Sequence, residues 1–169
     1  NQVGGYGGLY GDVVNLRHPL GMCDDNLMRR RSDNAKVYAN IYLSIEPIKG
    51  LKYKLNVTPD FQFYRYNEYL GLYDFGLDKN GITQNTEQQT RTRNILMEHL
   101  LTFDKQFGAH KISLLAGYSY QDTKYRYLSG WGQGMPTGIR EIDAASSGLG
   151  TSGNTSRSVL TSILGRIFY

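Results

Sequence analysis

The sequence predicts an all-β protein whose antiparallel up-and-down strands form part of a transmembrane β-barrel. Three observations carry that prediction. Apolar residues alternate with polar ones over stretches longer than the roughly 5–6 residues of an ordinary soluble strand, reaching the about 9–11 that cross a bilayer at a tilt. The connections alternate long, short, long, short, long, as in barrels with extended loops on one side of the membrane and tight turns on the other. Composition agrees: 169 residues include 20 Gly, 14 Tyr and 6 Phe but only 4 Pro, which favours strands and loops over helices.

The clearest stretch covers residues 35–66, through a break at Glu46, Pro47, Ile48, Lys49 and Gly50. Its first limb sets Ala35, Val37, Ala39, Ile41, Leu43 and Ile45 against Lys36, Tyr38, Asn40, Tyr42, Ser44 and Glu46. Only an extended strand with two unlike faces uses such a pattern. The second limb sets Leu51, Tyr53, Leu55, Val57, Phe61 and Phe63 against Lys52, Lys54, Asn56, Thr58, Asp60 and Gln62. Between them Pro59, which has no N–H to give a ladder, predicts a bulge or the strand's emergence from its paired region. The short turn makes the two limbs an antiparallel hairpin.

A third strand is expected over about residues 92–104, with Ile95, Met97, Leu101 and Phe103 on one side and His99 among them. Leu96 and Leu100 interrupt its other side, which carries Asn94, Glu98 and Thr102. After a short break, a fourth strand over 111–127 aligns Ile112, Leu114, Ala116, Tyr118 and Tyr120. A fifth, from about 156 to the end, aligns Val159, Thr161, Ile163, Gly165, Ile167 and Tyr169. Residues 67–90 and 128–154 are polar and rich in small residues and read as long loops. Residues 1–33 read as irregular, with a glycine-rich run at 4–11. The expected organisation is therefore an extracellular loop region over 1–33 and a five-strand barrel segment over 34–169. Tyr64, Tyr66, Tyr118, Tyr120, Tyr125, Tyr127 and Tyr169 gather near strand ends, where interfacial girdles place aromatics.

Several function classes are disfavoured. No run approaches the about 20 apolar residues of a membrane helix, and mean hydropathy is −0.47, a value that alternating barrel strands also give. The formal charge of +4 is dispersed, and the one dense basic run, Arg29, Arg30 and Arg31, lacks the ordered basic face of a nucleic-acid binder. Cys23 alone makes no intrachain disulfide and no zinc spacing,. The glycine run has no Lys-Ser/Thr pair of a phosphate loop. Asp24, Asp25 and Asn26 lack the alternating ligands, central Gly and distal Glu of a calcium loop. No metal or cofactor is expected.

Catalysis is not expected either. His18, His99 and His110 stand in no nucleophile context, and His99 and Glu98 fall on opposite strand faces. Asp60, Glu98 and Asp122 are scattered carboxylates rather than a positioned pair. The candidate substrate-binding residues are Trp131, Tyr125 and Tyr127, because aromatic faces stack on sugar rings or grip a peptide at low entropy cost; a girdle or loop-packing role is the competing reading. The start at Asn1 shows no leader pattern and the end at Tyr169 falls within an apparent strand, so a piece of a longer polypeptide is expected.

An ordered set of phrases resembles the SusC/RagA-type TonB-dependent outer-membrane transporters. They are Ile45-Glu46-Pro47-Ile48-Lys49-Gly50-Leu51-Lys52-Tyr53, then Met97-Glu98-His99-Leu100-Leu101-Thr102-Phe103-Asp104-Lys105-Gln106-Phe107-Gly108, then Leu114-Leu115-Ala116-Gly117-Tyr118. Gly134-Met135-Pro136-Thr137, Ala144-Ala145-Ser146 and Leu164-Gly165-Arg166-Ile167 follow in the family's order. The likeness covers roughly residues 35–169, and this chain shows neither the family's plug nor its TonB-contacting segment. What the resemblance implies is import of oligosaccharides or oligopeptides across the outer membrane of a Gram-negative bacterium, driven through TonB, with a SusD-like surface lipoprotein as lid. Residues 67–90 and 128–154 would then face outside, and the polar strand faces would look into the lumen or onto the plug. The alternative is a soluble or surface-attached all-β carbohydrate-binding module. In that case Val37, Ile41, Leu55, Leu114 and Ile163 would converge on a dry interior between two sheets.

Overall fold

The computed structural model describes residues 19–75 and 78–169; the glycine run at 4–11 and His18 lie outside the described residues. After a short helix α1 (Pro19–Met22) come strands β1 (Met28–Tyr38), β2 (Ile41–Ile48), β3 (Leu51–Leu70), β4 (Tyr73–Asp74), β5 (Lys79–Asn80), β6 (Gln84–Phe107), β7 (His110–Gln133) and β8 (Ser147–Phe168). A single 3₁₀ turn, Ile142–Ala144, precedes β8. The main sheet runs β1-β3-β6-β7-β8, with β2 also paired to β3, so β1 and β2 act as one interrupted ribbon beside β3. Five ribbons in sequence order result.

The β2–β3 hairpin shows how the sequence sets this register. Ile41 pairs with Val57, Leu43 with Leu55 and Ile45 with Tyr53, so the apolar side of one limb lies beside the apolar side of the other. A slip of one residue would turn every side chain over. The register shifts between Ile45 and Ile48, around Pro47, which has no N–H for a ladder. At the turn Gly50 takes φ +90°, its N–H donates to Glu46 Oε1 at 2.9 Å, and its carbonyl accepts from Asp104 N–H at 2.8 Å. The β6–β7 connection needs only Gly108, at φ +61°, and Ala109.

Pro59 does not interrupt its own strand as expected: β3 runs unbroken from Leu51 to Leu70, and the break falls in the partner ribbon, which can give up a ladder bond where proline has no N–H. The chain interrupts between β1 and β2 opposite it, where Ala39 N–H donates to Pro59 O at 3.1 Å and Asn40 Nδ2 donates to Thr58 Oγ1 at 3.0 Å.

Three further expectations are corrected. Residues 28–33, read as loop, belong to β1. The stretches 67–90 and 128–154, read wholly as loops, are mostly strand: β3 continues to Leu70, β6 starts at Gln84, β7 continues to Gln133 and β8 starts at Ser147. The reason is that a ladder depends on backbone groups; strand ends with polar side chains on both faces pair without showing alternation.

The chain divides into two compact units, one of residues 19–34, Tyr64–Thr90 and Tyr127–Asn154, the other of Ala35–Phe63, Arg91–Arg126 and Thr155–Tyr169. The first has a small core in which Leu27, Tyr73 and Phe75 are buried together, with the Tyr73 and Phe75 rings stacked at 4.9 Å. Gly21 fits under Phe75 because it has no Cβ.

The second unit has no such core among its described residues. Val37 is 59% exposed, Ile41 64%, Leu114 37% and Ile163 87%, with Leu55 half-buried. The two-sheet interior that a soluble binding module requires is therefore not built from them.

Candidate functional site

In the second unit, side-chain contacts assign the strand faces. Tyr53, on the apolar side of β3, shares a 2.7 Å hydrogen bond with His99 Nδ1 on β6, and the Tyr118 ring of β7 lies 6.0 Å from the imidazole. Tyr169 and His110 are hydrogen-bonded on the β7–β8 side. Alternation carries this face through Leu55, Val57, Phe61 and Phe63, through Ile95, Met97, Leu101 and Phe103, and through Ile112, Leu114, Ala116 and Tyr120,. On β8 it carries Val159, Ile163 and Ile167. His99 lies among these apolar side chains, and Tyr53 gives its ring a hydrogen-bond partner, as burial of a polar group in apolar surroundings requires,.

The reverse face is polar. Asn56 Nδ2 donates to Glu98 Oε2 at 3.5 Å, and Asn94 Oδ1 accepts from Gln121 Nε2 and Thr123 Oγ1, each at 3.0 Å. Glu98 thus points away from His99, as alternation required. The interruption at Leu100 also has an explanation: a Cβ on Gly117 would lie 3.1 Å from Leu100 and 3.5 Å from Leu164. These leucines cover a glycine on the reverse side, which sets a small apolar patch within a polar face.

One ion cluster closes the apolar side. Asp122 Oδ2 accepts from Arg93 Nη2 at 2.8 Å, and Oδ1 accepts from Arg157 Nε at 2.8 Å, joining β6, β7 and β8. Sequence reading took Asp122 for a scattered carboxylate. The signal that marks it is parity: a charge occupying the apolar register of its strand.

In the first unit the connection between β7 and β8 is tied down by side chains. Arg140 Nη2 donates to Asp25 O at 3.0 Å and Asn26 Oδ1 at 3.3 Å, and its guanidinium lies 5.3 Å from the Tyr69 ring centre. Buried Asn85 donates to the Arg140 carbonyl. Thr83 Oγ1 donates to Met135 O at 2.7 Å, and Gly134 N–H donates to Thr83 O at 2.9 Å. No motif marks Arg140; its one distinction in the sequence is that it is the lone cation between Gly134 and Ser146. A cleft of about 220 Å³ nearby is lined by charges of both signs, among them Arg29, Arg31, Asp33, Arg65, Glu87 and Glu141.

The expected substrate-binding aromatics fall in different surroundings. Trp131, 40% exposed, lies directly over Gly150 of β8, where a Cβ would enter the indole. Tyr127 is half-buried and on the same strand. Tyr125 is exposed and falls in the second unit. Among the described residues no group of His, Cys, Asp and Glu is placed to hold a metal ion.

No family model matches the chain. It is 28% identical over 162 residues to the TonB-dependent receptor P3 of Formosa agariphila, an alignment covering 91% of this chain and 15% of that protein. Its fold matches the structure of the RagAB peptide transporter with a TM-score of 0.77 at 16% identity, over 85% of this chain and 16% of the other. The same transporter in its 'open-open' state gives the same score and coverage. The chain thus spans only 15–16% of the length of the proteins it matches. The resemblance read from the sequence is borne out, and the fold is a section of an antiparallel β-barrel, with the sheet open at β1 and β8.

Proposed function

We propose that this chain is a five-ribbon run of wall in the barrel of a TonB-dependent importer in the outer membrane of a Gram-negative bacterium. One observation carries the reading: in the second unit a single-layer sheet leaves an apolar side uncovered and gathers a polar network, with Asn56, Asn94, Glu98 and Gln121, on the reverse. Such a sheet is stable only against hydrocarbon, since exposed apolar patches of this extent are rare on soluble monomers. The length fits. Ile112 to Tyr120 spans about 27 Å along the strand, or about 20 Å of height at the usual tilt, near the about 25 Å of an outer-membrane apolar band.

In this reading residues 34–169, with 28–33 joined to them, form the wall, and the residues before them belong to the extracellular side. The polar face with Asn56, Glu98 and Asn94 looks into the lumen or onto a plug carried elsewhere in the polypeptide. TonB engages a part outside this chain. The cargo is an oligosaccharide or oligopeptide, a SusD-like surface lipoprotein closes over the loops, and Trp131, Tyr125 and Tyr127 offer aromatic faces to the cargo. The relative's name and the barrel-section fold support this reading. It is tested on the full-length protein that carries this segment. The protein is expected in the outer-membrane fraction, partitioning into detergent, with uptake of labelled oligomers abolished when TonB is deleted. A protein recovered in the aqueous phase would end the reading.

A further inference from the structure

At one end of the apolar positions, the charges of β6, β7 and β8 lie on one side of these strands. One alternation step past Ile95, Tyr120 and Val159, where the apolar positions end, stand Arg93, Asp122 and Arg157. Further along the same sides come Arg91 on β6, then Lys124 and Arg126 on β7. The reverse sides at this level carry Thr92, Asn94, Gln121, Thr123, Ser156 and Ser158, none of them charged. Observed contacts fix that split, because Asp122 meets Arg93 and Arg157 while Asn94 meets Gln121 and Thr123.

Asp122 neutralises one of these five cations. Arg91, Lys124 and Arg126 are exposed and, among the described residues, enter no ion pair. Like charges gathered on one sheet surface repel. An anion set among them relieves that repulsion, and guanidinium groups match phosphate oxygens by paired hydrogen bonds.

Taking the wall reading as given, we propose that this belt binds the phosphate groups of an anionic lipid of the surrounding leaflet. Arg91, Lys124, Arg126 and the exposed edge of Arg157 hold the head group while the acyl chains lie along the apolar positions beside them. The position of the cations selects a lipid over an acidic protein. They abut the apolar face on the same strand sides, so an occupant with an anionic head and an apolar body meets both surfaces.

The test uses the full-length protein in phosphatidylcholine nanodiscs containing a trace of bisphosphorylated lipid A, with bound lipid counted by native mass spectrometry. The comparison is a variant carrying Arg91→Gln, Lys124→Gln and Arg126→Gln, which leaves the Asp122 cluster intact. Wild type is expected to retain lipid A on the order of 100-fold better than the variant at about 0.1 M salt, with the heat-induced mobility shift of the folded barrel unchanged. Equal retention by variant and wild type overturns the belt and leaves the wall standing. Equal binding of dephosphorylated lipid A, or displacement by millimolar inorganic phosphate, overturns the lipid-phosphate assignment. Failure of wild type to enter the discs overturns the wall reading itself, a separate result.

Discussion

Tyr53 and His99 sit on neighbouring strands and share a 2.7 Å hydrogen bond on an otherwise apolar face. The pair is self-contained, so its two halves are unequal under mutation. Tyr53→Phe leaves the imidazole without its partner and is expected to cost about 1–3 kcal/mol, whereas Tyr53→Phe with His99→Leu is expected to be nearly neutral. Urea unfolding of the full-length protein in lipid discs measures both. A double variant no more stable than Tyr53→Phe would show that the imidazole needs no partner at that position.

The apolar face, which the wall reading sets against lipid, gives a second prediction. Leu114→Arg places a charge near the middle of the apolar band and is expected to destabilise the barrel by about 2–4 kcal/mol. Ser113→Arg, one residue away on the reverse face, is expected to stay within about 0.5 kcal/mol. Equal effects at the two positions would contradict the face assignment.

The two tight turns differ in what surrounds their glycines. Gly50, at φ +90°, has the Asp104 carbonyl against the place a Cβ would take, while Gly108, at φ +61°, has open space there. Gly108→Ala therefore bears only the left-handed backbone cost, about 1–2 kcal/mol. Gly50→Ala adds a clash with main chain that no rotamer change relieves, and about 3 kcal/mol is expected. Denaturant midpoints of the two variants rank them; a milder Gly50→Ala would mean that the β2–β3 turn relaxes.

How much of this was legible depends on what each strand faces. The alternation of Ile41, Leu43 and Ile45 against Tyr42 and Ser44 announced a two-faced strand because one side is apolar throughout. Where both sides are polar, as at Asn67 and Glu68 or Thr86 and Glu87, the ladder persists but the pattern vanishes, and these residues read as loop. Leu100 blurred β6 because it covers Gly117 on the polar face, a pairing between strands that single-strand periodicity does not contain. Trp131 was legible as an aromatic with a potential partner, but its seat on Gly150 was not, since the two belong to different strands.

Arg140 yields the last prediction. Its side chain is hydrogen-bonded to Asp25 and Asn26. Arg140→Met keeps an unbranched stem and removes both those bonds and the guanidinium over Tyr69, at an expected cost of about 1.5–3 kcal/mol. The loss is local, so the strands should stay protected while protease cutting within residues 134–146 rises about tenfold or more. Unchanged cutting would assign the hold on this segment to Thr83 and Met135 instead.

That tether also bears on descent. A segment fastened by one guanidinium and a few amides, rather than by a continued ladder, is free to diversify: exchanging Arg140 or its acceptors changes the path of this connection while the strands keep their pattern. Selection can therefore vary such a connection without rebuilding the sheet it joins.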